Sequence, residues 1–447
     1  MSPERELSGG EFKKILRLAI PLTIGQLSAM LLGIIDTIMV GALGVRELAA
    51  LSFANALFSF PFVGGIGLIT SISILASGAH GRNEAASGRE ICRQGLLLAL
   101  LGGTILFLLT WAAFPLLKYL GQPAGLVILA TPYLWLILLS IIPALAAMSL
   151  KIFADALDRP WPAFWIFFGG VLINIPLNQL FIHGFGPLPA YGLNGAGLAT
   201  LLARLLTFAG MLLWLKNSRQ LKAWLPERFR DLRPTPVLKK LTRLGLPASF
   251  HLLAEVGAFS MAGLCIGLFG PVPLAAHQIA LTCAGTAFMI PLGISMALTV
   301  RMGKDGHDPA RARRIAHTGW LTILAVTSLT CLLFILFPRA ISAAFVDAPA
   351  VTQLAAQLLI IVGIFQLVDG LQIASAHMLR GLHDVSQPAW IAFLCYWPIG
   401  IPTGLFLAHQ MDLGARGIWW GLASGLGIAA LILSLRLHRL IRNAASA

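Results

Sequence analysis

FKKILRLAIP at residues 12 to 21 returns as LKKLTRLGLP at 238 to 247, 226 residues later. The same offset carries Gly41 to Gly267, Gly44 to Gly270, Leu48-Ala49-Ala50 to Leu274-Ala275-Ala276, Pro123 to Pro349, Pro162 to Pro388 and Pro176 to Pro402. One register held over so many positions means two copies of a single unit. The surrounding sequence is 57% hydrophobic and only 11% charged, with mean hydropathy +0.84; a soluble chain averages about 25% charged residues. Apolar runs long enough to cross roughly 30 Å of hydrocarbon number about twelve. They cover 15–42, 50–79, 92–115, 126–155, 161–183 and 192–216, then 242–269, 276–301, 316–338, 351–379, 387–408 and 414–436. Only helices and closed barrels satisfy their backbone in lipid, and runs of this length are helical.

The expected fold is therefore an all-α polytopic membrane protein, with twelve transmembrane helices in two six-helix lobes. Six spans per copy is an even number, so both copies enter from the same side and a pseudo-two-fold axis runs along the membrane normal. The expected divisions are an N-lobe over 1–216, a basic cytoplasmic linker over 217–237 and a C-lobe over 238–447. Two such lobes facing each other across a cleft can open it to either side in turn.

The net charge of +14 follows from topology. With the N-terminus inside, nearly all Lys and Arg fall at cytoplasmic helix ends, Arg380 among them. Only Arg46, Lys118, Arg339 and Arg416 flank the other side, and Arg204 lies within a run. The positive-inside rule then puts both termini in the cytoplasm of a multi-pass membrane protein. The stretch from Lys216 to Arg243, with Pro226, Pro234 and Pro236, is expected to lie on an anionic leaflet, so membrane lipids are partners. No segment interleaves basic and aromatic residues on a soluble domain, which argues against nucleic acid. The leader with Glu4, Arg5, Glu6 and Glu11 precedes a run too long for a signal peptide, so no cleavage is expected. Cys92, Cys265, Cys283, Cys331 and Cys395 are scattered and odd in number, and read as packing residues. Short loops without a P-loop, nucleophile motif or metal spacing exclude an enzyme and internal ATP hydrolysis.

Function is expected at three acids inside the apolar runs: Asp36, Glu255 and Asp369. An ionisable side chain at that depth is costly and by default marks an ion, proton or cationic-substrate site. They are not relics of a common scaffold, since the offset maps Asp36 to Ala262, Glu255 to Ala29 and Asp369 to Pro143. Counted at about 1.5 Å per residue from the cytoplasmic flank, Glu255 lies roughly 20 Å and Asp369 roughly 16 Å deep, on antiparallel spans. Asp36 lies about 28 Å in by the same count, nearer the outside.

IDTIMVGALG at 35–44, LINIPLNQLFIHG at 172–184, AEVGAF at 254–259, FQLVDGLQ at 365–372 and MLRG at 378–381 together resemble the multidrug and toxic compound extrusion family, in its NorM-like branch. The resemblance covers essentially the whole chain. It implies a monomeric antiporter that exports cationic amphipathic compounds in exchange for Na⁺ or H⁺, with no cofactor. The family's first-lobe coupling site falls on Asp36, Asn174, Asn178 and Thr200, and a hinge proline on Pro21. The second-lobe site falls on Glu255 and Asp369, and a tyrosine that some relatives carry one turn before the Asp is Phe365 here. Phe365 can attract a cation through its face but supplies no hydroxyl. Na⁺ is a possible occupant at Asp36, Glu255 and Asp369.

Structural readings stand beside these. Asp36 can simply bond a neighbouring helix, Glu255 and Asp369 can be a protonated buried pair, and Asn174, Asn178 and Thr200 can be interhelical glue. Gln26, Gln278, Gln366 and Gln372 are candidate cavity groups. Arg204 is expected to snorkel or to take a structural partner. His251, one turn before Glu255, suggests a relay or an ordinary buried hydrogen bond. An alternative function is a flippase for a lipid-linked precursor, which requires a basic cavity and finds support only in Arg204.

Overall fold

A computed structural model describes residues 3–115, 123–186, 189–226 and 233–446; Lys118 and residues 227–232 of the linker lie outside them. Among the described residues, twelve helices are long and apolar enough to cross a membrane, matching the twelve runs of the sequence. In the first half they are α1 (Gly10–Gly41), α2 (Val45–Gly81), α3 (Ala85–Ala113), α4 (Gly125–Ala156), α5 (Pro160–His183) and α6 (Leu193–Asn217). In the second half they are α7 (Pro236–Gly267), α8 (Pro271–Asp305), α9 (Pro309–Leu336), α10 (Pro349–Gly381), α11 (Ser386–Gln410) and α12 (Ala415–Ala445).

The duplication is visible atom by atom. Gly44 and Gly270 each turn the chain between the first two helices of their copy at positive φ, 146° and 107°. Glycine adopts that region without a steric cost. A Cβ on Gly41 would meet Leu48 at 3.9 Å, and one on Gly267 would meet Leu274 at 3.9 Å.

The compact units do not follow the repeat boundaries. One, the N-unit, is Ile24–Ser249; the other, the C-unit, is Met1–Thr23 with Phe250–Ala447. Helices α1 and α7 therefore each contribute to both. In the C-unit, Ile15, Leu18, Ala19 and Leu22 of α1 are buried with Ile294, Leu298 and Leu433. Arg301 of α8 bonds Glu11 at 2.9 Å and Asp305 at 2.6 Å, fixing the start of α1. Gly293 lies flush on Thr23, where an added Cβ would stand 2.7 Å from the Thr23 nitrogen. In the N-unit, Leu241 of α7 is buried in the main core. Ser249 Oγ donates to the Gly64 carbonyl at 2.7 Å, and a Cβ on Gly67 would stand 2.7 Å from the Ser249 nitrogen. Gly67 and Ser249 are Gly293 and Thr23 displaced by the repeat, so one contact is made twice with the helix starts exchanged. Pro21 and Pro247, inside α1 and α7, sit two residues before the divisions.

Small residues set the spacing elsewhere. A Cβ on Gly195 of α6 would lie 2.8 Å from the Ile182 nitrogen of α5, so these helices touch through their backbones. On α12, Gly417, Gly421 and Gly425 line one face at four-residue spacing; a Cβ on Gly421 would stand 2.6 Å from the Gly400 carbonyl. Opposite them α11 contains a π turn, Cys395–Gly400, with Pro398 inside it. The proline lacks a donor and clashes with the preceding turn, and a widened turn accommodates it. The described ends of the linker dock on α3: Arg89 Nε donates to the Ala223 carbonyl at 3.0 Å, Gln94 Nε2 to the Arg233 carbonyl at 2.8 Å, and Trp224 covers Gly88.

Gly67→Ala and Gly293→Ala should each destabilise the protein by about 1–3 kcal/mol, because the new methyl meets backbone that cannot yield. Thermal unfolding in detergent should fall in both variants and fall less for Gly33→Ala, where nothing lies within 4 Å.

Candidate functional site

In the N-unit the structure brings Asp36, Asn174, Asn178 and Thr200 together. Asp36 projects from α1, the two asparagines from α5 at one-turn spacing, and Thr200 from α6, which Gly195 lets close on α5. Asn178 Nδ2 donates to Asp36 Oδ1 at 2.6 Å and to Asn174 Oδ1 at 2.9 Å; Thr200 Oγ1 donates to Asp36 Oδ2 at 3.2 Å. All four side chains are buried. The Asp36 carboxylate thus has neutral donors on both oxygens and no salt bridge among the described residues. Asn178 Oδ1 is left without a hydrogen-bond donor; carboxylate and amide oxygens are ligand types that a hard cation takes. Pro21 lies fifteen residues earlier on the same helix, in the part that belongs to the C-unit.

Arg204 takes a structural partner, the second of the two expected outcomes. One turn beyond Thr200, it turns inward, donates from Nη1 to Ser140 Oγ at 2.7 Å and lies 5.0 Å and 5.2 Å from the ring centroids of Phe58 and Phe62. A guanidinium stacked on two rings recovers part of its lost hydration through their quadrupoles. It interacts electrostatically with Asp36 without contacting it.

In the C-unit, Glu255 of α7 and Asp369 of α10 are buried and interact with each other electrostatically. Phe365 packs edge-on against Phe259 at 5.9 Å and Trp419 at 5.6 Å, so its ring is engaged by other rings. A buried phenol on another helix acts on the same pair. Tyr396, on the π turn of α11, is buried, its Oη bonds no protein atom, and its phenol interacts electrostatically with Glu255 and Asp369. Trp397 fixes that turn by donating Nε1 to the Ala254 carbonyl at 3.0 Å, one residue before Glu255. Gln366 holds α10 to α8 through the Ala284 carbonyl at 2.9 Å. No group of three or more metal-ligating His, Cys, Asp or Glu side chains occurs among the described residues.

Two further charged clusters escaped the sequence reading. Lys151 and Asp155, four residues apart on α4, form a buried pair at 2.7 Å. Arg380, counted as a membrane-edge residue, is instead buried among His251, His377 and Gln372. Each side chain ends a helix in the sequence, and neither carries a signal that distinguishes it from a residue facing headgroups.

The family model for MatE matches residues 21–180 and again 247–406, two segments related by the same 226-residue displacement. The chain belongs to the MatE family. A MatE relative from Rhizobium meliloti, named a probable multidrug resistance protein NorM, is 34% identical over 445 residues, covering 98% of this chain and 95% of the relative. The multidrug resistance protein NorM of Burkholderia vietnamiensis is 37% identical over 441 residues, covering 94% and 92%. The MatE fold is shared with the crystal structure of the eukaryotic MATE transporter AtDTX14, at TM-score 0.87, 20% identity and 98% coverage of both chains. A MATE structure in the bent conformation superposes at TM-score 0.88, with 21% identity, 100% coverage of this chain and 99% of the other.

Asn178→Ala should strip a buried donor from both Asp36 and Asn174 and cost about 1–3 kcal/mol. Thr200→Val, which removes one weaker bond, should cost less; equal losses in thermal stability would mean that Asn178 is not the centre of the cluster.

Proposed function

We propose that this chain is a secondary active multidrug exporter, moving cationic amphipathic compounds outward in antiport with Na⁺ or H⁺ by alternating access. The observation that carries this reading is a buried carboxylate site in each compact unit with no salt bridge among the described residues. A carboxylate kept in a lipid-embedded helix without a contacting cation is poised to take one from solution. The names of the NorM relatives, matched along almost the whole chain, support drugs as the cargo. The protein is proposed to act as a monomer, without a cofactor, in a bacterial inner membrane with both termini cytoplasmic; the basic helix ends support that orientation.

The coupling is a competition for charge. An outward-moving organic cation and an inward-moving H⁺ or Na⁺ both neutralise the same acids, and each shifts the conformational equilibrium only by its differential affinity for the two states. At Asp36 the asparagine and threonine hold the carboxylate in place, and their oxygens suit Na⁺ as ligands while their donors suit a carboxylate that gives and takes a proton. Pro21 offers α1 a bend between Asp36 and the helix start. The flippase alternative loses its one support, because Arg204 is committed to Ser140, Phe58 and Phe62.

Reconstituted into vesicles, the protein should drive ethidium efflux when a pH gradient or a Na⁺ gradient is imposed alone, and the effective gradient names the coupling ion. Asp36→Asn and Glu255→Gln should each lower gradient-driven efflux at least about tenfold while eluting as folded protein, a loss of about 1.4 kcal/mol or more in coupling. Full activity in both variants would overturn the assignment.

A further inference from the structure

Beside the acid pair of the C-unit lies a buried polar column that the proposed antiport does not yet use. Arg380 sits eleven residues after Asp369 on α10, three turns along the same face, and its side chain points back toward Asp369 as helical side chains do. Nη2 donates to His251 Nδ1 at 3.0 Å and Nη1 to His377 Nε2 at 3.1 Å. Arginine has donors only, so both of those ring nitrogens are acceptors. His377 then carries its proton on Nδ1 and donates to Thr299 Oγ1 at 2.8 Å, and Thr299 donates to the His377 carbonyl at 3.0 Å. His251 carries its proton on Nε2, 3.3 Å from the Gln372 amide, whose Oε1 has no other partner. Exchanging the two ends of that amide makes Oε1 the acceptor.

Both imidazoles are thereby neutral. A further proton on either would oppose an N–H of Arg380, so His251 in this arrangement is a holder of the arginine and not a proton carrier. The fixed positive charge acts on the acid pair through Glu255, four residues after His251 on α7: Arg380 interacts electrostatically with Glu255, and Glu255 with Asp369, although no salt bridge joins them among the described residues. The surrounding helices add few other charges. From α11 come the Tyr396 phenol and the Cys395 thiol. From α8 comes the Thr299 hydroxyl, and Trp320 of α9 and Ser434 of α12 bond Ser375. Arg436 of α12 is taken by Asp384.

We propose that Arg380 is the resident counter-cation of the Glu255–Asp369 pair, so that the pair presents one exchangeable negative charge and takes one proton or one monovalent cation at a time. The proposal rests on the antiport reading for the identity of the site and deepens it by setting the charge of the ligand. Two carboxylates in a low-dielectric site cannot both stay ionised beside a single cation from solution unless a second positive charge is built in. A guanidinium supplies it permanently, since it does not lose its proton in proteins. The two histidines hold it by neutral acceptors, near the acids but clear of them, and leave the carboxylate oxygens open to an exchanging ion.

The test is equilibrium binding of ethidium, a monocation, and propidium, a dication, to the purified protein across pH, with no gradient imposed. In Arg380→Gln the pH of half-maximal ethidium binding should rise by roughly one unit, because the acids lose the charge that helps them release protons. Propidium should gain affinity relative to ethidium by about fivefold or more at high pH. Arg380→Lys should keep both values near wild type. A folded Arg380→Gln protein with unchanged midpoint and unchanged selectivity would overturn the proposal. Should Arg380→Gln not fold, the double variant with Glu255→Gln decides: recovery of folded protein supports charge partnership, and no recovery assigns Arg380 to packing. Binding without gradient-driven efflux in the wild type would defeat the antiport reading alone and leave this comparison intact.

Discussion

Thr23 against Gly293 and Ser249 against Gly67 are the contacts on which the two units depend. Each sets a small hydroxyl residue flush on a glycine, with no room for one more carbon. At that separation the backbones meet, and dispersion rather than hydrophobic transfer holds helices together in lipid. The contacts anchor the starts of α1 and α7, whose later turns carry Asp36 and Glu255.

The two acid sites solve one electrostatic problem in two ways. Asp36 is met by neutral donors, an amide and a hydroxyl, which stabilise the ionised form without cancelling its charge. Glu255 and Asp369 lie together, and Arg380, held off on two imidazoles, provides the compensation from a distance. In both units an arginine sits near the acids while bonded to something uncharged: Ser140 and two phenylalanines in one case, two histidines in the other. The positions are unrelated by the repeat, since residue 204 corresponds to Ala430. Divergence after duplication has produced similar surroundings from different residues.

Much of this was legible in the amino-acid sequence, because lipid allows few choices. Length and hydropathy set twelve helices, the repeat set their division into two sixes, and depth counting put Glu255 and Asp369 within about 4 Å of one another in depth. Arg380 was not legible, since a basic residue three turns past an acid near a helix end looks like a headgroup contact until His251 arrives from α7. Tyr396 was hidden because it lies on the π turn of α11 around Pro398, a local widening that hydropathy does not show. The exchange of helix starts was hidden for another reason: Thr23, Ser249 and their glycines are unremarkable residues whose partners are 180 or more positions away.

That exchange bears on how a duplicated chain of this kind arises. A half-length ancestor with the same packing would have had its own first helix start missing from its core, and a neighbour's supplied in its place. Two copies would each have depended on the other for a helix start before any gene fusion. Joining them end to end through a segment such as residues 217–237 then only tethered partners already mutually dependent.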